Sequence, residues 1–354
     1  MKFSGNKMNN ILIIMVMISL VIFTGCSDQK NQTQPISKTT LQFGTVIQIT
    51  VFDEADAPAL EKVLSHMKVL EDELSTSVEN SNISLFNAAD SSETIQLTDH
   101  AQAVIQRGLY YSELSGGKFD ITIEPIVDLW GIGHEDARVP GADELLEATE
   151  LVDYKLLDYD PQAGTLKKLK DGVKIDLGGI AKGYAADEAA RILHENGVEK
   201  ALINLGGNVY ALGSKDGKPW KVGVQNPLDA QGTMVGIVEV EDTAVITSGV
   251  YERYFEEDGV RYHHILDPDT GYPINNEILG ISIITEKAID GDALSTLVYA
   301  KGLEAGMDFV ESLDGVDAIF VSRDKTIYLS SGAAEKFDQN NMDFDLYTSA
   351  TKQK

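Results

Sequence analysis

The chain has 354 residues and is strongly acidic, with 56 Asp and Glu against 29 Lys and Arg and a formal net charge of −27. That balance excludes nucleic acid or a broad anionic lipid surface as partner, because phosphate layers attract basic protein. The single cysteine excludes an intramolecular disulfide and a thiolate zinc site, and any anionic ligand must meet locally focused donors or a metal ion.

Lys2 and Lys7 precede an apolar run over residues 11–23, which is short for a membrane span and suits a signal-peptide core. Gly25-Cys26 ends the run. Cys26 stands where a bacterial lipobox places its lipidated cysteine, although Phe23 replaces the usual leucine. Residues 1–25 therefore read as a signal peptide. Residues 26–40, rich in Ser, Asp, Gln, Asn and Thr, read as a lipid-anchored tether. The expected location is the extracytoplasmic face of the cell membrane, reached through the lipid anchor only. A cleaved signal peptide followed by a chance cysteine is the alternative.

Residues 41–349 read as one α+β domain of one or two lobes, since strand-like and helix-like runs alternate without a linker. Residues 41–52 alternate as a strand. Leu60, Val63, Leu64, Met67, Leu70 and Leu74 recur at helical spacing. Thr98 or Asp99 caps a second helix that Gly116-Gly117 stops. Residues 141–149 form a short helix. Residues 173–177 read as a strand entering a glycine motif, residues 180–195 as the helix leaving it, and residues 201–205 as the next strand. Farther on, β signals cover residues 209–212, 220–224, 234–240, 244–246, 280–284 and 318–321. Residues 292–300 are helical by pattern.

The most informative stretch is Asp176-Leu177-Gly178-Gly179-Ile180-Ala181-Lys182-Gly183-Tyr184-Ala185-Ala186-Asp187. Adjacent glycines admit a ligand close to the backbone, and a helix start offers unpaired N–H groups to an anion. Lys182 adds a charge. Asp292 and Thr296 share a helix face and suit a hard, oxygen-seeking cation, or else Asp292 caps its helix and Thr296 is an ordinary polar residue. In His263-His264-Ile265-Leu266-Asp267-Pro268, a loop histidine offers a general base, or the pair is simply solvated before a turn. Gly117-Lys118-Phe119-Asp120 and Leu129-Trp130-Gly131 either pack around a flat ligand or belong to the core. Thr247-Ser248-Gly249 offers hydroxyls to phosphate or makes a turn. P-loop, dinucleotide-fingerprint and nucleophile-elbow motifs are absent.

Taken in order, these motifs resemble the FAD:protein FMN transferase family, the ApbE-type flavin transferase lipoproteins. The resemblance runs from about Leu41 to beyond Gly302. It is carried by Phe43-Gly44-Thr45, Gly117-Lys118-Phe119-Asp120, Leu129-Trp130-Gly131, the Asp176–Asp187 motif, Asn204-Leu205-Gly206-Gly207-Asn208, Thr247-Ser248-Gly249, His264-Ile265-Leu266-Asp267-Pro268 and Asp292–Thr296. It implies an α+β fold related to the tunnelling fold. It implies Mg²⁺-dependent cleavage of FAD with release of AMP, and transfer of FMN to a threonine of a partner's FMN-binding domain. On this sequence it makes His264 the base. It gives Mg²⁺ to Asp292, Thr296 and the main-chain oxygen of Gly179. It gives FAD to Phe43, Lys118, Phe119, Asp120, Asp176, Lys182, Ile265 and Leu266. Two departures stand out: Phe43 replaces a methionine, and Ser77 stands where relatives carry an aromatic residue. Rival readings are an FAD pyrophosphatase with water as nucleophile, a flavin-binding lipoprotein without chemistry, and a solute-binding lipoprotein.

Overall fold

Among the described residues, nine strands of one sheet lie side by side in the order in which the chain makes them. They are β1 (Ile36–Gln42), β2 (Thr45–Val51), β3 (Ala201–Leu205), β4 (Asn208–Leu212), β5 (Thr243–Gly249), β6 (Ile278–Thr285), β7 (Val316–Ser322), β8 (Thr326–Leu329) and β9 (Asp345–Thr348). Neighbours are antiparallel except β8 and β9, which run parallel. The computed structural model describes residues 34–229 and 232–348, so Cys26, the signal peptide and most of the tether lie outside the described residues. Residues from Pro35 onward belong to a single unit. The architecture is α+β.

Alternation along the strands sends side chains to two cores. Ile47, Ile49, Ile203, Ile246, Ile283 and Phe320 face one core, beneath helices α1 (Ala57–Leu74), α2 (Asp99–Ser115), α4 (Ala181–Glu195) and α5 (Ala288–Lys301). Val245, Ile284, Ile319 and Val321 face the other, beneath a three-stranded sheet of Trp220–Gln225, Met234–Val240 and Phe337–Gln339. Between α2 and α4 comes α3 (Glu124–Trp130). All eight residues of β6 are buried, including the polar Ser282 and Thr285. Each such large side chain contributes about 1.5–3 kcal/mol on burial.

The contact between α4 and α5 is what positions the site. Gly183 lies so close to α5 that a Cβ there would overlap the carbonyl oxygen of Ala288 and come within 2.7 Å of the Ile289 Cα. The closeness lets each helix cap the other. Asp187 of α4 accepts from the N–H groups of Ala288 and Ile289 at 2.7 and 3.0 Å. Asp292 of α5 accepts from the Gly183 N–H at 2.9 Å. Both carboxylates meet N–H groups that have no partner within their own helix.

Four expectations from the sequence change. Residues 41–52 are two strands, not one, because Phe43 and Gly44 both take positive φ, 52° and 63°, and make a tight hairpin turn. β1 also claims Ile36 to Thr40, which the composition assigned to the tether. Residues 173–177 alternate between buried and partly exposed but form no strand. Their partners are the side-chain amide of Asn87, which brackets Ile175 at 2.8 and 2.9 Å, and the Ile121 carbonyl, which accepts from the Asp176 N–H. The helix expected over 292–300 begins at Ala288, so Asp292 caps α4 and not its own helix.

The Gly183→Ala variant is expected to lose about 1–3 kcal/mol of stability, since the intruding methyl meets backbone that cannot rotate away. Urea denaturation against wild type checks this, and an unchanged midpoint would refute the close-contact account.

Candidate active site

The glycine motif is bent by its own first residue. Asp176 Oδ1 accepts from the Gly178 N–H at 2.7 Å, an Asx turn that presents Gly178 and Gly179 at the mouth of α4. A Cβ at Gly179 would stand 3.2 Å from the Phe119 ring and 3.5 Å from Thr296 Oγ1, so this glycine, Phe119 and Thr296 share one spot. Lys182 Nζ donates to the Gly178 carbonyl at 2.9 Å and to Asp292 Oδ1 at 3.3 Å. Asp292 is only 3% exposed, and Asn208 Nδ2 donates to the same Oδ1 at 2.9 Å. The oxygens gathered here are a carboxylate, a hydroxyl and the main-chain carbonyls of the glycine turn, a set suited to a hard divalent cation. Lys182 already places one positive charge between two of them.

The adjacent histidines have different lives. His263 is buried and uses both ring nitrogens, Nε2–H donating to the Ile274 carbonyl at 3.0 Å and Nδ1 accepting from the Ile265 N–H. Burial pushes its pKa down to about 4. His264 points the other way and is partly exposed. Its Nδ1 lies 3.2 Å from the Arg253 carbonyl, which can only accept, so the proton sits on Nδ1 and the Nε2 lone pair is left open. Although one edge meets solvent, desolvation by the surrounding protein pushes its pKa down to about 3, and the charges of Arg253, His263 and Lys182 act in the same direction. The ring is neutral at physiological pH. It can take a proton through Nε2.

Other expected contacts divide. Lys118 reaches the histidine loop, donating to Asp269 Oδ2 at 2.7 Å and to Asp267 Oδ1 at 3.4 Å. The Phe43-Gly44 turn comes close to Arg253, whose Nη2 donates to the Gly44 carbonyl at 3.4 Å. Asp120 is buried and already accepts from Thr122 N–H and Oγ1–H and from the Tyr154 N–H, so it shapes its loop. Ile265 and Leu266 do not line the site with their side chains: these are buried in two different hydrophobic clusters, 4% and 8% exposed. Trp130 is fully buried and donates to the Gly271 carbonyl at 2.7 Å, so it braces the loop from behind, as a core residue. Ser248 shares a hydrogen bond with Ser295, and Thr247 with Ser282.

The model of the ApbE family matches residues 43–320. An FAD:protein FMN transferase of Treponema pallidum is 33% identical over 341 residues, 91% of this chain and 94% of its own length. The chain belongs to the ApbE family. An FAD:protein FMN transferase of Klebsiella pneumoniae is 34% identical over 85% of this chain and 93% of its own. A crystal structure of the ApbE protein from Thermotoga maritima has a TM-score of 0.78 at 33% identity, covering 87% of this chain and all of that one.

Within this ApbE fold the site also holds residues that the motifs did not assign. Asn208 ends the Asn204–Asn208 turn segment and fixes Asp292. Arg253 presents its carbonyl to His264. Glu252 is solvent-exposed, yet desolvation by the protein around it pushes its pKa up, with Asp292 adding to the rise and Lys182 and Arg253 pulling back. Glu124 opens α3 with one carboxyl oxygen that has no hydrogen-bond partner. Burial first, then the charge of Asp176, pushes it up to about 9. Asp176 is raised too, chiefly by burial, but the Gly178 N–H and Lys182 favour its charged form. Glu124 therefore keeps a proton at neutral pH. Glu124 lies six residues past Lys118 in an unremarkable Glu-Pro helix start, and no sequence signal marks it.

A carboxyl raised from 4.5 unfolded to about 9 folded stabilises fully below pH 4.5, and that contribution fades as pH rises through 9. Glu124→Gln keeps the shape without the titration. Its stability relative to wild type is therefore expected to improve steadily from pH 5 to pH 9 in urea denaturation; parallel profiles would sink the protonation of Glu124.

Proposed function

We propose that this protein is an FAD:protein FMN transferase that joins FMN through its phosphate to a threonine of a partner's FMN-binding domain and releases AMP. The observation that carries this reading is the neutral His264 ring with an open Nε2, in the same electrostatic neighbourhood as Lys182 at the start of the glycine cradle. A threonine hydroxyl is a poor nucleophile without an adjacent base. His264 Nε2 takes its proton, the Oγ–P bond forms at the FMN phosphorus, and the bond from that phosphorus to the bridging oxygen breaks, so that oxygen leaves with AMP. Lys182, at the start of α4, offsets the charge of the pyrophosphate. Asp292, Thr296 and the Gly179 carbonyl are the oxygens that would hold Mg²⁺. When bound, that ion supplies charge neutralisation on the pyrophosphate and the leaving group. The Phe43 turn offers apolar surface, and Lys118 a charge, to the rest of FAD, while Phe119, buried like Ile265, packs behind Gly179. With its local cations the site answers an anionic substrate in an acidic chain. Anchoring by a lipid on Cys26 at the extracytoplasmic face is part of the same proposal, and fits partners that work beside a membrane.

The test supplies FAD, Mg²⁺ and an FMN-binding domain bearing its acceptor threonine. A flavin that stays on the domain through denaturation, with one AMP released, is the expected product. AMP without labelled domain would instead make water the acceptor, and bound FAD without AMP would make this a flavin-binding protein. His264→Ala is expected to lower transfer by about 10²–10⁴-fold while still binding FAD; undiminished transfer would remove its role as base. Asp292→Ala is expected to raise the Mg²⁺ concentration needed for half-maximal rate, and an unchanged requirement would remove it from the metal site.

A further inference from the structure

Away from this site, three helices bring two imidazoles and a carboxylate together. His66 lies on α1, His100 in the first turn of α2, and Glu188 on α4, and one ligand atom from each falls within 4.8 Å of the others. We infer that His66, His100 and Glu188 form a second metal site, for a transition-metal ion of the zinc class, separate from the cation oxygens around Asp292.

The donor chemistry selects the ion. Two imidazole nitrogens with one carboxylate match zinc and its neighbours, whereas Mg²⁺ takes oxygen ligands. The groups are mutually oriented. His66 Nε2 and Glu188 Oε2 are 3.0 Å apart, and the two histidine rings meet edge to face at 5.0 Å between centroids. The Tyr184 hydroxyl lies 2.7 Å from His100 Nδ1. It can accept from Nδ1–H, which leaves Nε2 as the ligating nitrogen and fixes the ring as outer partners of metal-bound histidines do. His66 and Glu188 side chains are 19% and 13% exposed, so the site is sheltered but open at one edge. That edge is a surface depression beside His66, lined by Glu61, Lys62 and Ser65. Bonds of about 2.0–2.2 Å set tetrahedral ligand atoms roughly 3.4 Å apart, so side-chain rotations of about 1 Å close the present spacing.

One group competes. Arg191 binds Glu188 with both Nε and Nη2, at 3.0 and 2.7 Å, the second to the same Oε2 that His66 meets. Arg191 also reaches Glu195 at 2.8 Å, so it has a second carboxylate to hold when a metal takes Oε2. With three protein ligands the fourth position falls to water or an incoming group. A bound ion would pin α1 and α2 to α4, whose first turn carries Lys182 and Gly183.

The test titrates the metal-stripped full chain with Zn²⁺, and with Co²⁺ for its visible absorption. One ion is expected to bind to wild type and to His264→Ala, with a rise in melting temperature. His66→Gln and His100→Gln are expected to bind that ion at least about a hundredfold more weakly, a loss beyond that of an outer-shell change. Equal binding by wild type and both histidine variants would overturn the site. Where a variant melts below wild type without metal, X-ray absorption of zinc-loaded wild type decides: two imidazoles and oxygen support the site, and any other ligand set refutes it.

Discussion

The carboxylate of Asp292 belongs to α5 but takes its backbone hydrogen bond from the first turn of α4, and Asp187 of α4 does the same for the start of α5. This exchange depends on Gly183, since a side chain there would hold the helices apart. The rest of the site follows from it. Asp292, once drawn to the mouth of α4, brings Thr296 one turn behind it to the bare Cα of Gly179. Lys182 then has both Asp292 and the Gly178 carbonyl within reach. Asn208 closes the set from the sheet side, at the end of a hairpin turn whose glycines allow the chain to reverse beside Thr45. Carboxylates are well placed at helix starts for a physical reason, because the N–H groups there have no partner of their own. Asp292 thus serves folding before it serves any cation.

Acidity constrains the site in a second way. An anionic substrate must enter a chain with a large negative charge, and the structure lowers that charge locally by several means. Lys182 and Arg253 lie among Asp176, Glu252, Asp292 and His264. Glu124 keeps its proton, because a second buried carboxylate beside Asp176 would cost more than neutrality. Removing negative charge in this way favours an incoming pyrophosphate and needs no extra lysine.

Much of this was legible in the sequence, for reasons that can be named. The Asp176–Asp187 stretch showed itself because a turn, a cradle and a helix start each need particular residue types in a fixed order. Most strands of the central sheet showed themselves through their β-favouring residues, but Thr326–Leu329 and Asp345–Thr348, short strands at its far edge, did not. What stayed hidden depends on partners distant in the chain. The true start of α5 was invisible because its cap, Asp187, lies about a hundred residues earlier. Residues 173–177 carried a strand's alternation but bond to the side chain of Asn87, and a side-chain partner leaves no periodic trace. Ile265 and Leu266 sat inside a functional motif, so the motif lent them a role that their burial does not allow.

The two histidines show how finely such assignments turn on backbone direction. A histidine pair in a turn-rich loop reads the same whichever member acts. At the end of the Val260–His263 strand, successive side chains point to opposite sides, so one ring goes inward and the next outward. His263 turns in and spends both nitrogens on the chain, against Ile274 and Ile265. His264 turns out, and the Arg253 carbonyl, brought alongside by the pairing of Tyr254 with His263, takes its Nδ1 proton. A shift of one residue in that hairpin would exchange the two roles. The register of a short exposed hairpin, more than the chemistry of imidazole, decides which histidine is left with a free lone pair.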